Sequence, residues 1–138
     1  MNCPFCNIDK EGTRIIKEGK YNYVYFSNPR LMDGHLLVIP KKHIERLSEL
    51  SKDEKEELFD LVIEYQEKIL ENIAKGCDIR QNYRPFQKQD DLKLDHLHIH
   101  LQPREFKDEL YQKSQIFEKD IFRKLTQEEI NKISKLLK

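Results

Sequence analysis

Residues 94–102 read LDHLHIHLQ, so His96, His98 and His100 recur at every second position with Leu97, Ile99 and Leu101 between and after them. A period of two is that of a β-strand, whose successive side chains point to opposite faces. Three imidazoles therefore share one face, and the three aliphatic residues line the other. Cationic or half-cationic neighbours in register repel unless something anionic or metallic belongs beside them. A plain solvated face accommodates one histidine easily and three poorly. Two chemistries fit better. The imidazoles can share a zinc ion with a further ligand from elsewhere. Alternatively, one neutral imidazole attacks phosphorus while its neighbours donate hydrogen bonds to phosphate oxygens, splitting a hard displacement into two steps through a covalent intermediate. The two readings do not exclude each other.

A second cluster lies at the amino terminus. Cys3 and Cys6, in CPFC, have the spacing that puts two thiolates on one tetrahedral zinc. A redox pair usually opens a helix after a strand, which this position does not offer; free thiols are the other alternative. Two cysteines leave a zinc site half built, and His35, His43 and the triplet are the pool for the rest. Cys77 has no partner at ligand spacing and reads as a small buried residue.

The elements that must position these groups follow from local pattern. Strands are expected at Thr13–Lys17, Tyr21–Phe26, His35–Ile39 (stopped by Pro40), Ile79–Tyr83 and the histidine segment (closed by Pro103). SNPRLMDG, residues 27–34, reads as a loop. Ser51 and Glu54 have capping-box spacing ahead of an apolar helical stripe of Leu58, Leu61, Val62, Tyr65 and Ile69, with Gly76 placed as a C′ glycine. After Pro103 the chain reads as helical, over Lys107–Lys124 and again after a second capping pair, Thr126 and Glu129. This order predicts an α+β fold with an antiparallel sheet and helices to one side.

At 138 residues the chain is long enough for a core without disulfides. Its 25 basic and 25 acidic residues cancel, which argues against stable nucleic-acid binding. No apolar run reaches the ~20 residues of a membrane helix, and the opening residues do not read as a signal peptide. An odd cysteine count argues against a secreted disulfide scaffold. A cytoplasmic location is the expectation.

The segment His96-Leu97-His98-Ile99-His100-Leu101-Gln102 resembles the signature of the histidine-triad (HIT) family, in which three histidines alternate with apolar residues; Gln102 departs at the last apolar position. CPFC, DGHLLVIPKKHIERLSEL (33–50) and PRE after the triad resemble the family in the same order, so the likeness spans residues 3–105. It implies a five-stranded antiparallel sheet with one long helix, in a catalytic domain over 1–105. Residues 106–138 are then a C-terminal helical extension packed on the same domain. It implies a nucleotide or dinucleotide substrate, diadenosine polyphosphates included, cleaved at the α-phosphate through a nucleotidyl-histidine, and a homodimer. Transferase and non-catalytic nucleotide-binding readings stand as alternatives. By the same resemblance His98 is the nucleophile, with His100 and His35 beside the α-phosphate. Cys3, Cys6, His43 and His96 hold a structural zinc.

One stretch departs from the family. Many members carry small residues and glycine just before the triad, where backbone amides approach phosphate, and residues 82–95 here contain no glycine. Asn82 matches a polar position near the nucleotide. Arg84, Lys88 and Gln89 are expected to replace amide contacts with side-chain contacts. Phe5, Phe26 or Ile8 are candidates to line a base pocket.

Overall fold

The computed structural model describes residues 3–8, 14–90 and 93–138. Two compact units divide the chain, Met1–Glu105 and Phe106–Lys138. The first holds five strands: β1 (Ile15–Glu18), β2 (Asn22–Phe26), β3 (Leu36–Pro40), β4 (Gly76–Arg80) and β5 (Ile99–Arg104). They form one antiparallel sheet in the order β1-β2-β3-β5-β4. The last strand of the unit is thus inserted between β3 and β4.

Helix α1, Lys52–Asn72, starts where its capping box demands. Ser51 Oγ accepts from the Glu54 amide at 3.2 Å, and the Glu54 carboxylate accepts from the Ser51 amide at 3.1 Å. All five residues of its apolar stripe are buried. They pack on Val24, Leu36 and Val38 and on Leu97, Ile99 and Leu101, the aliphatic face of the histidine segment. Each such side chain contributes about 1.5–3 kcal/mol by leaving water, which is what holds the strand's other face outward. That outward face is covered too. Phe5, Tyr25, Leu37 and Ile39 form a second cluster, joined by Cys3, Ile8, Ile15 and Leu94.

Several boundaries differ from the sequence expectation. Gly76 opens β4, opposite Arg104, and does not cap α1. Its backbone is outside the left-handed region, and a methyl group there would make only ordinary contacts with Arg104. The strand expected at 79–83 therefore lies three residues earlier, because pairing with β5 sets its register. β5 itself begins at Ile99, so His96 and His98 precede the ladder while keeping its alternation. Pro40 and Pro103 lie inside their strands. Pro103 stands past the end of the β3–β5 ladder, which finishes at Leu36 and Leu101, where a missing N–H leaves no β3 acceptor unpaired. Thr13 of the first expected strand lies outside the described residues. Gly34, at φ +80°, makes the turn into β3.

The second unit was expected to open with one helix over 107–124. Instead α2 covers only Glu109–Lys113, capped by Asp108, and 3₁₀ geometry follows over Gln115–Asp120. At Ser114 the backbone leaves helical angles (φ −132°, ψ −53°), and none of the helical residues before it is buried. Helix α3, Gln127–Leu137, is capped by Thr126 as expected. No helix among the described residues is long and apolar enough to cross a membrane.

Candidate active site and metal cluster

The sheet places the histidines through its register. Leu37 and Arg80 stand opposite His100 on the two neighbouring strands, so all three share the face covered by Phe5. His35 sits just before β3 and is 3% exposed. The Phe5 ring meets His98 edge-on, with centroids 5.2 Å apart, and His98 meets His100 at 4.9 Å.

Hydrogen-bond partners assign the tautomer of each ring. The Leu31 amide donates to His35 Nδ1 at 3.1 Å, so His35 carries its proton on Nε2 and donates it to His100 Nδ1 at 2.9 Å. His100 then carries its own proton on Nε2. His98 Nδ1–H donates to the His96 carbonyl at 2.7 Å, which leaves the His98 Nε2 lone pair uncommitted. His96 Nε2–H donates to the Pro40 carbonyl at 2.8 Å, leaving Nδ1 as its free lone pair. The backbone and His35 thus leave His98 with a free Nε2 lone pair, His100 with an Nε2–H and His96 with a free Nδ1 lone pair.

Protonation agrees with that division. Burial, with the adjacent His98, pushes His35 down to about 4. Burial together with His98, His35 and Arg80 pushes His100 down to about 3. Burial also lowers His98, against the opposing pull of its bond to the His96 carbonyl. At neutral pH these rings are uncharged, and an uncharged imidazole is the form that can attack.

His96 Nδ1 faces the amino-terminal thiols. It lies 3.3 Å from Cys3 Sγ, 3.5 Å from Cys6 Sγ and 3.2 Å from His43 Nδ1, while Cys6 Sγ is 3.2 Å from His43 Nδ1. All four ligand atoms fall within 4.8 Å of one another. Zinc bonds of about 2.3 Å to sulfur and 2.0–2.1 Å to nitrogen imply tetrahedral edges of roughly 3.3–3.8 Å. Four of the six edges of the cluster, at 3.2–3.5 Å, are close to that size, and the donor set fits zinc.

A cavity of about 150 Å³ opens over the triad, lined by His96, His98 and His100 and by Asn82 and Arg84. Lys88 is exposed and does not line it. Gln89 turns the other way, into a cavity of about 440 Å³ shared with Cys3, Cys6 and His43, where its side-chain oxygen accepts from the Asp95 amide at 2.7 Å. Those two residues were expected at the phosphate; in the structure neither lines the triad cavity. Lys93 takes their side of the triad cavity instead. Its ammonium contacts the Asp95 carboxylate and the Gln87 carbonyl and so closes the loop on itself. Asp91 and Leu92, within the glycine-free stretch 82–95, lie outside the described residues. A third cavity, of about 530 Å³, runs from His35, His98 and His100 along Phe5, Tyr25, Leu37 and Leu94. Of the residues expected to line a base pocket, Phe5 lines this cavity. Ile8 packs in the second core cluster, and Phe26 is 42% exposed on β2.

Three alternating imidazoles with assigned tautomers, on an antiparallel sheet beside one long helix, define a histidine-triad site. The chain belongs to the HIT family: the sequence model of the HIT domain matches residues 9–107. It is 28% identical over 109 residues to adenosine 5′-monophosphoramidase hnt1 of Schizosaccharomyces pombe, covering 75% of each protein. Its fold is shared with a zinc-bound histidine triad family protein from Mycobacterium smegmatis (TM-score 0.65, 25% identity, 78% of each chain). A hypothetical protein from Leishmania major matches over more of the length (TM-score 0.70, 21% identity, 97% of this chain and 92% of that one).

Proposed function

We propose that this protein is a nucleotide hydrolase that cleaves a phosphoramidate or phosphoanhydride bond at the α-phosphate, with His98 as nucleophile. The observation that carries the reading is the bond from His98 Nδ1–H to the His96 carbonyl, which aims an unprotonated Nε2 into the cavity. In the first step the Nε2 lone pair forms an N–P bond. The bond from phosphorus to the bridging nitrogen or oxygen breaks, and the leaving group departs with its electron pair. A bridging nitrogen takes up a proton from solvent as it leaves. In the second step water forms the new P–O bond, the N–P pair returns to Nε2, and the water proton passes to solvent. His100 Nε2–H donates to a phosphate oxygen as charge develops on it.

Likeness to the fission-yeast phosphoramidase supports a P–N substrate, and the family membership supports a nucleotide. Asn82 and Arg84 line the cavity where polar contacts to the substrate belong. The larger cavity bounded by Phe5, Tyr25 and Leu37 has the apolar walls a base requires.

Cys3, Cys6, His43 and His96 would hold zinc. With four protein ligands the ion would supply structural cross-linking and no open position for substrate. His96 ties that cluster to the chain two residues before the nucleophile, so the amino-terminal segment preorganises His98.

The test is intact-protein mass spectrometry after an alkaline quench, with diadenosine tetraphosphate or AMP phosphoramidate as substrate at pH 7–8. An added AMP that is absent in His98→Ala is the expected result. Turnover by His98→Ala equal to the unaltered protein would sink the proposal.

A further inference from the structure

We infer that Arg80, acting with Arg84, binds the phosphate chain of an anionic leaving group and so biases this site toward polyphosphate substrates. The inference rests on the hydrolase reading above and adds a residue to it.

Arg80 is the last residue of β4 and stands directly opposite His100 in the sheet, on the same face. Side chains so paired have Cβ atoms about 5 Å apart. The pair is close enough for the guanidinium to act electrostatically on the His100 ring. Among the described residues no carboxylate neutralises this cation. The carboxylate two residues back on the same strand face, Asp78, is already bound by Arg104. Of the two cations that line the triad cavity, Arg84 and Lys93, the second is bound by Asp95. Among the described residues neither Arg80 nor Arg84 has an ion-pair partner.

The charges around the triad are also sorted by sign. Glu45 lines the triad cavity and the cysteine-side cavity alike and has no ion-pair partner among the described residues, so negative charge stands at the metal end; Asp95 lines both as well but is bound by Lys93. Arg84 lines the triad cavity, and Arg80 flanks it beyond His100. With the α-phosphate between His98 and His100, a departing phosphate chain is repelled from the first end and attracted to the second. A neutral leaving group such as ammonia gains nothing from that field. Guanidinium–phosphate bonds are charge-assisted and can be bidentate, which suits them to this task.

The test compares kcat/KM for diadenosine tetraphosphate with kcat/KM for AMP phosphoramidate in the full chain. The ratio is expected to fall roughly tenfold to a hundredfold in Arg80→Gln. Arg80→Lys should recover part of it, and added salt should lower the tetraphosphate value more in the unaltered protein than in Arg80→Gln. A ratio unmoved by Arg80→Gln overturns the inference. A second measurement needs no turnover: calorimetry with inorganic tripolyphosphate. Binding by the unaltered protein that weakens at least about tenfold in Arg80→Gln supports the site, and absence of binding, or equal binding by both, overturns it. Failure of the hydrolase reading shows separately, as no turnover of either nucleotide.

Discussion

His35 Nε2 stands 2.9 Å from His100 Nδ1, and the other nitrogen of the same His35 ring is taken by the Leu31 amide. A buried imidazole with both nitrogens engaged has none left for substrate. The resemblance put His35 beside the phosphate; in the structure its contact is with His100, whose donor proton it turns outward. His35→Leu should therefore lower kcat by roughly ten- to a hundredfold with KM changed little, a split that steady-state kinetics reads directly. An unchanged kcat would mean that His100 keeps its tautomer unaided.

His98→Ala is expected to lose on the order of a thousandfold or more in turnover while still binding nucleotide. Equilibrium binding of AMP to the variant separates lost chemistry from lost structure. Loss of AMP affinity alongside turnover would point to a binding role for the ring.

Metal content and thermal melting test the thiol cluster together. Purified without chelator, the protein should contain one zinc per chain, and Cys6→Ser should lose it. Its melting temperature should fall by about 5 °C or more, because the ion binds only the folded arrangement. A metal-free protein with the stability of the loaded one would dissociate the cluster from folding.

The buried rings make stability depend on pH in a definite direction. His35 and His100 titrate near 4 and 3 in the folded chain, against 6.5 as ordinary histidines. Between those values the unfolded chain binds more protons. Their contribution to stability is therefore complete above about pH 6.5 and is lost as pH falls toward 4 and then 3. Urea midpoints measured from pH 8 to pH 4 should decline through that interval, and the decline should be smaller in His35→Leu. Ring-proton NMR should find both histidines neutral at pH 5.5; a shift midpoint near 6.5 for either would contradict their burial.

Much of this was legible in the sequence, for a physical reason. Leu97, Ile99 and Leu101 alternate with the histidines, and burying three aliphatic residues is enough to orient the imidazoles between them. Ser51 with Glu54, and the stripe from Leu58 to Ile69, are local patterns that tertiary packing had no reason to override. The failures share a different cause. Gly76 carries a helix-end signal, yet pairing with Arg104 across the sheet makes it a strand residue. Lys88 and Gln89 look equivalent to Arg84 in a polar loop. Only the folded loop, pinned by Lys93 and by the Gln89–Asp95 bond, decides which cation faces the triad. Arg80 was invisible for the same reason. Its significance comes from lying across from His100, twenty residues away, and from Asp78 being occupied by Arg104.

The strand order has a consequence for synthesis on the ribosome. β5 is the last strand made, yet it lies between β3 and β4. A nascent chain that has emerged only as far as Arg80 has β3 and β4 with no common partner, and the apolar face of α1 lacks Leu97, Ile99 and Leu101. The segment that carries the triad is thus the one that closes the sheet. Long-range pairing of this kind comes late in folding, after its loop-closure entropy is met. An incomplete chain therefore has neither a finished sheet nor the three-histidine face, and the two arrive together.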